Sequence, residues 1–262
     1  MINDCLSLRG VFKSYHAGVR GCSATVTVLR NLDLVVGAGE VVSIAAAPGA
    51  GKTTLMMCAA GLIRPDRGFV SWFGGPQRRD GAARPDGIAY ASDRPFPYGF
   101  LTVREALEYA AIARDLPLRH SAHRVAYALE RVRLGAMSDR RVDALSGREL
   151  ARMAIASALL AQPRLVLVDD VASGCDAGTA EDLVAVLRGL ATDGAAVVVA
   201  GALVPWFSAK SPSQLQVSAR SLSLVAGRLI VQPDAAVAVA RRPSSGVTHA
   251  RVAELPPGAS AR

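Results

Sequence analysis

The run Ala46-Ala47-Pro48-Gly49-Ala50-Gly51-Lys52-Thr53-Thr54 is the first stretch whose residue types and spacing could do chemistry. Glycines at 49 and 51 let the backbone approach a ligand closely, and successive N–H groups opening a helix cradle phosphate oxygens. Lys52 supplies a full positive charge for the outer phosphates of a bound nucleotide, and the Thr53 hydroxyl is placed to ligate Mg2+. The strict phosphate-loop pattern begins with Gly where this chain has Ala46. The plainer alternative is a glycine-rich turn that carries a lysine.

Two carboxylates form a second candidate. Asp169 ends an apolar run, where a phosphate-loop protein needs an oxygen to hold Mg2+, directly or through water. Asp170 follows, where a general base could orient a water for attack on the terminal phosphate. Adjacent aspartates after a strand also serve as helix or turn caps, which is the competing reading. Leu145-Ser146-Gly147 opens a helix, and a Ser hydroxyl with a Gly N–H there makes a second anion site or a simple N-cap.

The patterning of the chain predicts what must hold these groups. Alternating, Val- and Leu-rich segments over 6–13 and 26–36 read as antiparallel strands joined by a Gly-rich connection. A short apolar run over 41–45, closed by Pro48-Gly49, reads as a buried strand feeding the loop. A helix over 53–62 follows, then strands over 69–72 and 87–91. From 102 to 162 the pattern turns helical: 102–116, with Thr102 and Glu105 as a capping box and Pro117 as its stop, then 121–134 and 146–161. A buried strand over 165–168, a helix over 178–190, a strand over 196–200 and a closing hairpin (222–225 with 229–231) complete the chain. Strands alternating with helices predict an α/β fold with a mostly parallel sheet, an antiparallel β subdomain and an inserted α-helical subdomain. The expected layout is one domain over 1–240, with the helical insertion at about 95–162. A loose Arg/Pro/Ala-rich tail covers 241–262.

Composition limits the function classes. With 262 residues, 51% hydrophobic and 20% charged, the chain has ordinary globular content and length for a sizeable core. The net charge is +8 and is almost wholly arginine, since the only lysines are Lys13, Lys52 and Lys210. That charge permits contact with nucleic acid or anionic lipid without requiring it. Cys5, Cys22, Cys58 and Cys175 form no C-x-x-C pair, so neither a zinc site nor a disulfide framework is expected. Asn3, Asp4 and Arg9 interrupt the N-terminus before any apolar run, so no signal peptide is expected. The longest uncharged stretch, between Asp193 and Lys210, contains Pro205 and is too short to span a bilayer.

Taken together, these motifs resemble the ATP-binding cassette (ABC) transporter ATPases over about residues 6–231. Residues 46–54 match the Walker A loop, and 165–170 the Walker B strand. Leu145-Ser146-Gly147-Arg148-Glu149 matches the signature motif, and Ser173-Gly174-Cys175-Asp176 the D-loop. Leu101-Thr102-Val103-Arg104-Glu105 looks like the segment that follows the Q-loop in many members. The resemblance implies ATP and Mg2+ as cofactors. It makes Tyr15 the aromatic that stacks on adenine and Gly49, Ala50, Gly51, Lys52, Thr53 and Thr54 the phosphate loop. Ser146 and Gly147 become the groups that face a partner's nucleotide. Thr53, Asp169 and Asp93 become the metal-side residues, and Asp170 with Lys52 the catalytic pair.

The departures from the family pattern bear on activity. Asp93 stands at the Q-loop glutamine, Asp170 at the Walker B glutamate, and Ala202 at the switch histidine. Arg148 and Glu149 stand at the fourth and fifth signature positions. Asp170 is one methylene short, and a displacement of about 1 Å at a reacting group can cost on the order of 100-fold in rate. Ala202 removes an imidazole altogether. The expectation is an energy-coupling subunit of a bacterial transporter, working in an exporter and hydrolysing ATP weakly. Its implied partners are a second cassette and a membrane-embedded permease, at the cytoplasmic face of the inner membrane, with no nucleic acid. A pseudo-ATPase that binds nucleotide for assembly or gating is the alternative from another class. A soluble DNA-maintenance ATPase is the remote one, since such relatives carry long coiled-coil or zinc insertions that this chain lacks.

Overall fold

The computed structural model describes residues 4–19, 22–75, 85–93, 98–116, 118–208 and 218–231. The chain opens with a long hairpin, β1 (Asp4–Val19) and β2 (Cys22–Gly37), whose register runs from Asp4 opposite Gly37 to Val19 opposite Cys22. The strands reach well past the apolar alternation that marked them. Polar pairs hold the extension: Ser14 Oγ donates to Thr27 Oγ1 at 3.2 Å, and His16 Nδ1 lies 3.1 Å from Thr25 Oγ1. β4 (Arg67–Trp72) pairs with the other edge of β1, which gives the antiparallel order β2-β1-β4.

The second sheet contains β3 (Glu40–Ala45), β5 (Ile88–Ser92), β6 (Leu165–Asp169), β7 (Ala196–Ala200), β8 (Ser218–Val225) and β9 (Arg228–Val231). Their order is β5-β6-β7-β3-β8-β9, parallel except for the final β8–β9 hairpin. β6 and β7 are buried at every position, as their unbroken apolar runs require in a sheet covered on both faces. Their alternate residues feed two cores. Leu165, Leu167, Val198 and Ala200 pack with α1 (Lys52–Ala59) and the antiparallel sheet. Val166, Val168, Val197 and Val199 pack with α5 (Ala177–Thr192) and the helical insertion.

The insertion contains α2 (Val103–Ile112), α3 (Leu118–Arg131) and α4 (Gly147–Leu159), with single 3-10 turns at Gly135–Met137 and Val142–Ala144. The Thr102/Glu105 capping box forms as the sequence implies. α2 nevertheless stops four residues before the expected end, because Asp115 adopts a left-handed φ of 55°. Pro117 lies outside the described residues, as does the tail beyond 231. A short helix that the pattern did not reveal, α6 (Val204–Ser208), follows β7; its Pro205 sits in the first turn, where a missing N–H does no harm.

Many of the arginines that give the insertion its basic character have internal work. Arg114 donates to the Ala110 carbonyl and to Ser157 Oγ, at 2.8 and 3.1 Å. Arg124 donates to the Leu160 carbonyl. Arg152 ties α4 to both the Val132 carbonyl and Asp182 of α5, at 2.9 and 2.7 Å. Arg133, Arg140, Arg141 and Arg148 each face a carboxylate.

Candidate nucleotide-binding and catalytic site

The parallel order β5-β6-β7-β3 brings four strand ends together, and the sequence candidates lie on the loops just beyond them. From β3 the chain enters the loop 46–51 and then α1. Gly51, at φ 98°, is the N-cap of that helix, and a Cβ there would meet Val28 Cγ1 at 2.5 Å. Only glycine allows the phosphate loop to fold this closely against β2. Lys52 Nζ donates to the Ala46 and Ala47 carbonyls at 3.2 and 3.3 Å, which leaves one of its three N–H donors for a phosphate oxygen. Residues 47–49 are exposed, so the loop mouth is open.

Tyr15 reaches this helix start from β1. Its hydroxyl lies 3.4 Å from Thr54 Oγ1, its ring is 43% exposed, and the Lys13 ammonium sits 5.7 Å from the ring centroid. A flat, half-open aromatic face beside a phosphate loop can stack on a nucleobase.

Asp169 ends β6 and is 4% exposed. Its Oδ2 accepts a 2.8 Å hydrogen bond from the Tyr90 hydroxyl, while Oδ1 is buried without a partner. Burial pushes the Asp169 carboxyl above its ordinary range, with the charges of Asp170 and Asp93 adding to the effect. The Tyr90 and Thr53 hydroxyls pull the other way. Oδ1 makes no hydrogen bond of ordinary geometry, although the Thr53 hydroxyl is near enough to act on the carboxyl, and such an oxygen beside the first threonine of the phosphate loop suits a hard cation; these residues fit Mg2+, which would neutralise phosphate charge. Asp93, at the exposed end of β5, acts on Asp169 through its charge only. Among the described residues no group of three His, Cys, Asp or Glu side chains is placed to hold a metal by itself. Bound Mg2+ would take its remaining oxygens from phosphate and water.

Asp170 is turned away from this arrangement. Its backbone is left-handed (φ 51°), its N–H donates to the Ala200 carbonyl, and its Oδ1 accepts from the Ala202 N–H at 3.0 Å. The loop after β7 wraps against it so closely that a Cβ on Gly201 would lie 2.3 Å from Asp170 Oδ1. The carboxylate expected to orient water thus fastens the loop in which the imidazole is missing.

The start of α4 carries the other anion candidate. Ser146 is the N-cap, but the Glu149 carboxylate accepts both its N–H and its Oγ–H, at 2.7 and 2.6 Å. Those two bonds hold the Glu149 carboxyl below its ordinary value, with help from Arg140 and Arg148. An anionic side chain therefore occupies the position where a second phosphate site was expected. Arg148 points to Asp176 at 3.9 Å, and Asp176 in turn caps α5 through Thr179. The signature turn and the D-loop of one chain are thereby linked by an exposed ion pair, a contact that single-residue motif matching did not reveal. Tyr90 and the Ala202 N–H were missed as well. The only signal for Tyr90 was a polar tip inside an otherwise apolar strand.

The model of the ABC transporter family matches residues 29–173. The chain is 36% identical to the lipoprotein-releasing system ATP-binding protein LolD of Cereibacter sphaeroides over 196 residues, 72% of this chain and 85% of that protein. It is 31% identical to the macrolide export ATP-binding/permease protein MacB 1/2 of Paracoccus denitrificans over 74% of this chain, but only 29% of that longer protein. Among solved structures, the dimeric bacterial ABC transporter cassette MJ0796 superposes with a TM-score of 0.71 at 25% identity, covering 86% of this chain and 96% of that one. The family match over more than half of the chain, together with these relatives, shows that the chain is a nucleotide-binding domain of the ABC transporter family.

Proposed function

We propose that this subunit binds MgATP at its own phosphate loop, pairs with a second cassette, and transmits the ATP-dependent closure to a membrane-embedded permease that exports its substrate. The observation that carries the reading is the convergence of Lys52, Thr53 and the unpaired Oδ1 of Asp169 at neighbouring strand ends. Similarity to proteins named for lipoprotein release and macrolide export supports the direction of transport. No helix among the described residues is long and apolar enough to cross a membrane. Attachment to the cytoplasmic face of the inner membrane through the permease agrees with that. The exposed aromatic group Tyr98, Phe100 and Tyr109, in which the Tyr98 ring lies 5.8 Å from Phe100 and 5.4 Å from Tyr109, is an apolar surface suited to this docking.

In this reading hydrolysis is slow, because the Asp170 carboxylate is short and engaged by the Ala202 N–H, and position 202 offers no imidazole. A second reading is favoured by one specific contact, the hydrogen bond from the Ala202 N–H to Asp170: a cassette that binds nucleotide for assembly or gating and hydrolyses nothing. Single-turnover hydrolysis of MgATP by the purified chain, with Lys52→Ala as control, separates the two. Slow turnover that vanishes in the control supports the first, and bound ATP that stays intact supports the second. Unchanged ATP affinity in Lys52→Ala would remove both.

A further inference from the structure

The hydroxyl of Tyr90 is unaccounted for by packing. Tyr90 lies on β5 opposite Leu167 of β6, and its ring joins the apolar cluster beneath the phosphate loop. A phenylalanine would fill that space equally well. The hydroxyl instead extends along the strand direction to the residue two positions beyond Leu167, and donates to Asp169 Oδ2 at 2.8 Å. The same carboxylate has its other oxygen buried and unpaired. One oxygen is anchored from a rigid neighbouring strand, and the other is kept for a ligand.

Resting on the MgATP reading above, we infer that Tyr90 is a positioning residue for the metal: its O–H bond fixes the rotation of the Asp169 carboxylate and so reserves Oδ1 for Mg2+. Groups that orient a metal ligand from behind typically change metal affinity about 10- to 100-fold when lost. Tyr90 belongs in that class although it never touches the ion. Without a donor on Oδ2, both oxygens of a buried carboxylate compete for one ion and neither is held.

The test uses Tyr90→Phe in the full chain, with Asp169→Asn marking complete loss of the ligand. ATP affinity is measured by calorimetry with EDTA and, separately, with saturating Mg2+. Mn2+ affinity in the ATP complex is read from its electron paramagnetic resonance signal. The expected result is metal-free ATP affinity within twofold of wild type and Mn2+ affinity about tenfold weaker, on the scale expected for a lost orienting group. Mn2+ affinity within twofold of wild type would overturn the inference. So would an equal fall in ATP affinity with and without metal, which is the mark of a merely structural role. Wild-type protein that fails to bind ATP at all would sink the MgATP reading itself, and with it this one.

Discussion

Substituting Asp170 separates its two possible roles, because Asn and Ala remove different things. Asp170→Asn keeps an oxygen acceptor for the Ala202 N–H and tolerates the left-handed φ of 51° that Asn shares with Asp. It loses the strengthening that charge gives a hydrogen bond, about 1 kcal/mol. It also relieves the repulsion between the two neighbouring aspartates that helps raise Asp169. The net change should be within about 1 kcal/mol, or about 2–4 °C in Tm for a domain of this size. Asp170→Ala leaves the Ala202 N–H unpaired, at about 1–3 kcal/mol. It also puts a Cβ-bearing residue with no local hydrogen bond in left-handed backbone, about 1 kcal/mol more. A loss of about 2–4 kcal/mol should lower Tm by roughly 4–16 °C. Thermal denaturation of the three proteins gives the comparison directly. Equal destabilisation by Asn and Ala would refute the claim that the Ala202 contact is what this carboxylate supports. In single-turnover assays Asp170→Asn tells the rest: a base that has been lost removes on the order of 100-fold or more in rate, whereas a purely structural Asp170 leaves the rate unchanged.

Other substitutions probe the neighbouring parts. Gly51→Ala should lower stability by about 3 kcal/mol and weaken ATP binding, since it combines a φ of 98° with a 2.5 Å approach to Val28 Cγ1; adding Val28→Ala should restore part of the Tm, and no recovery would place the defect elsewhere. Glu149 has a folded-state value below its ordinary 4.5, so its contribution to stability is complete above that pH and is lost as pH falls through the lower folded value. Glu149→Gln, which removes the titrating group, should therefore flatten the fall in Tm on acidification below about pH 4.5, a difference read from melting curves across that range. Asp170→Glu combined with Ala202→His should raise ATP turnover in a steady-state phosphate-release assay, with some loss of Tm because Glu is less at ease than Asp in left-handed backbone; unchanged turnover would move suspicion to Arg148 and Glu149.

The parallel core was legible because β6 and β7 are uninterrupted apolar runs and because Gly51-Lys52-Thr53 follows such a run directly. The helix start at Thr102 was equally plain, since its Thr is answered by Glu105 three residues on; at Ser146 the sequence marked the start but not the Glu149 side chain that takes its hydroxyl. Less visible were the features set by tertiary contact. The outer half of the first hairpin is held by pairs such as Ser14–Thr27, which carry no apolar alternation. The end of α2 is fixed by the backbone of Asp115, and α6 by its position after β7 with Arg188 donating to the Trp206 and Phe207 carbonyls. In the candidate site, residue types singled out Lys52, Thr53 and Asp169 but left the orientation of every carboxylate open. Which oxygen Tyr90 takes and which backbone N–H Asp170 takes depend on neighbours 79 and 32 positions away in the chain.

The departures at 170 and 202 are better understood as one change than as two. A histidine side chain at 202 would supply a contact beyond the loop, whereas here the loop contributes its backbone N–H, and a short carboxylate at 170 is the right length to meet it at 3.0 Å. A glutamate would carry its carboxylate past that N–H, and any side chain on Gly201 would collide with the aspartate. Asp170, Gly201 and Ala202 therefore form a self-consistent unit that holds the strand-end loop closed against β6, and the fit between them constrains all three. The half of the site proposed to face phosphate and metal, Lys52, Thr53 and Asp169, is linked to this unit through the charge of Asp170 on Asp169. On the proposed function, binding and hydrolysis then depend on separable sets of contacts, so a chain could retain the first while the second is altered without disturbing the fold.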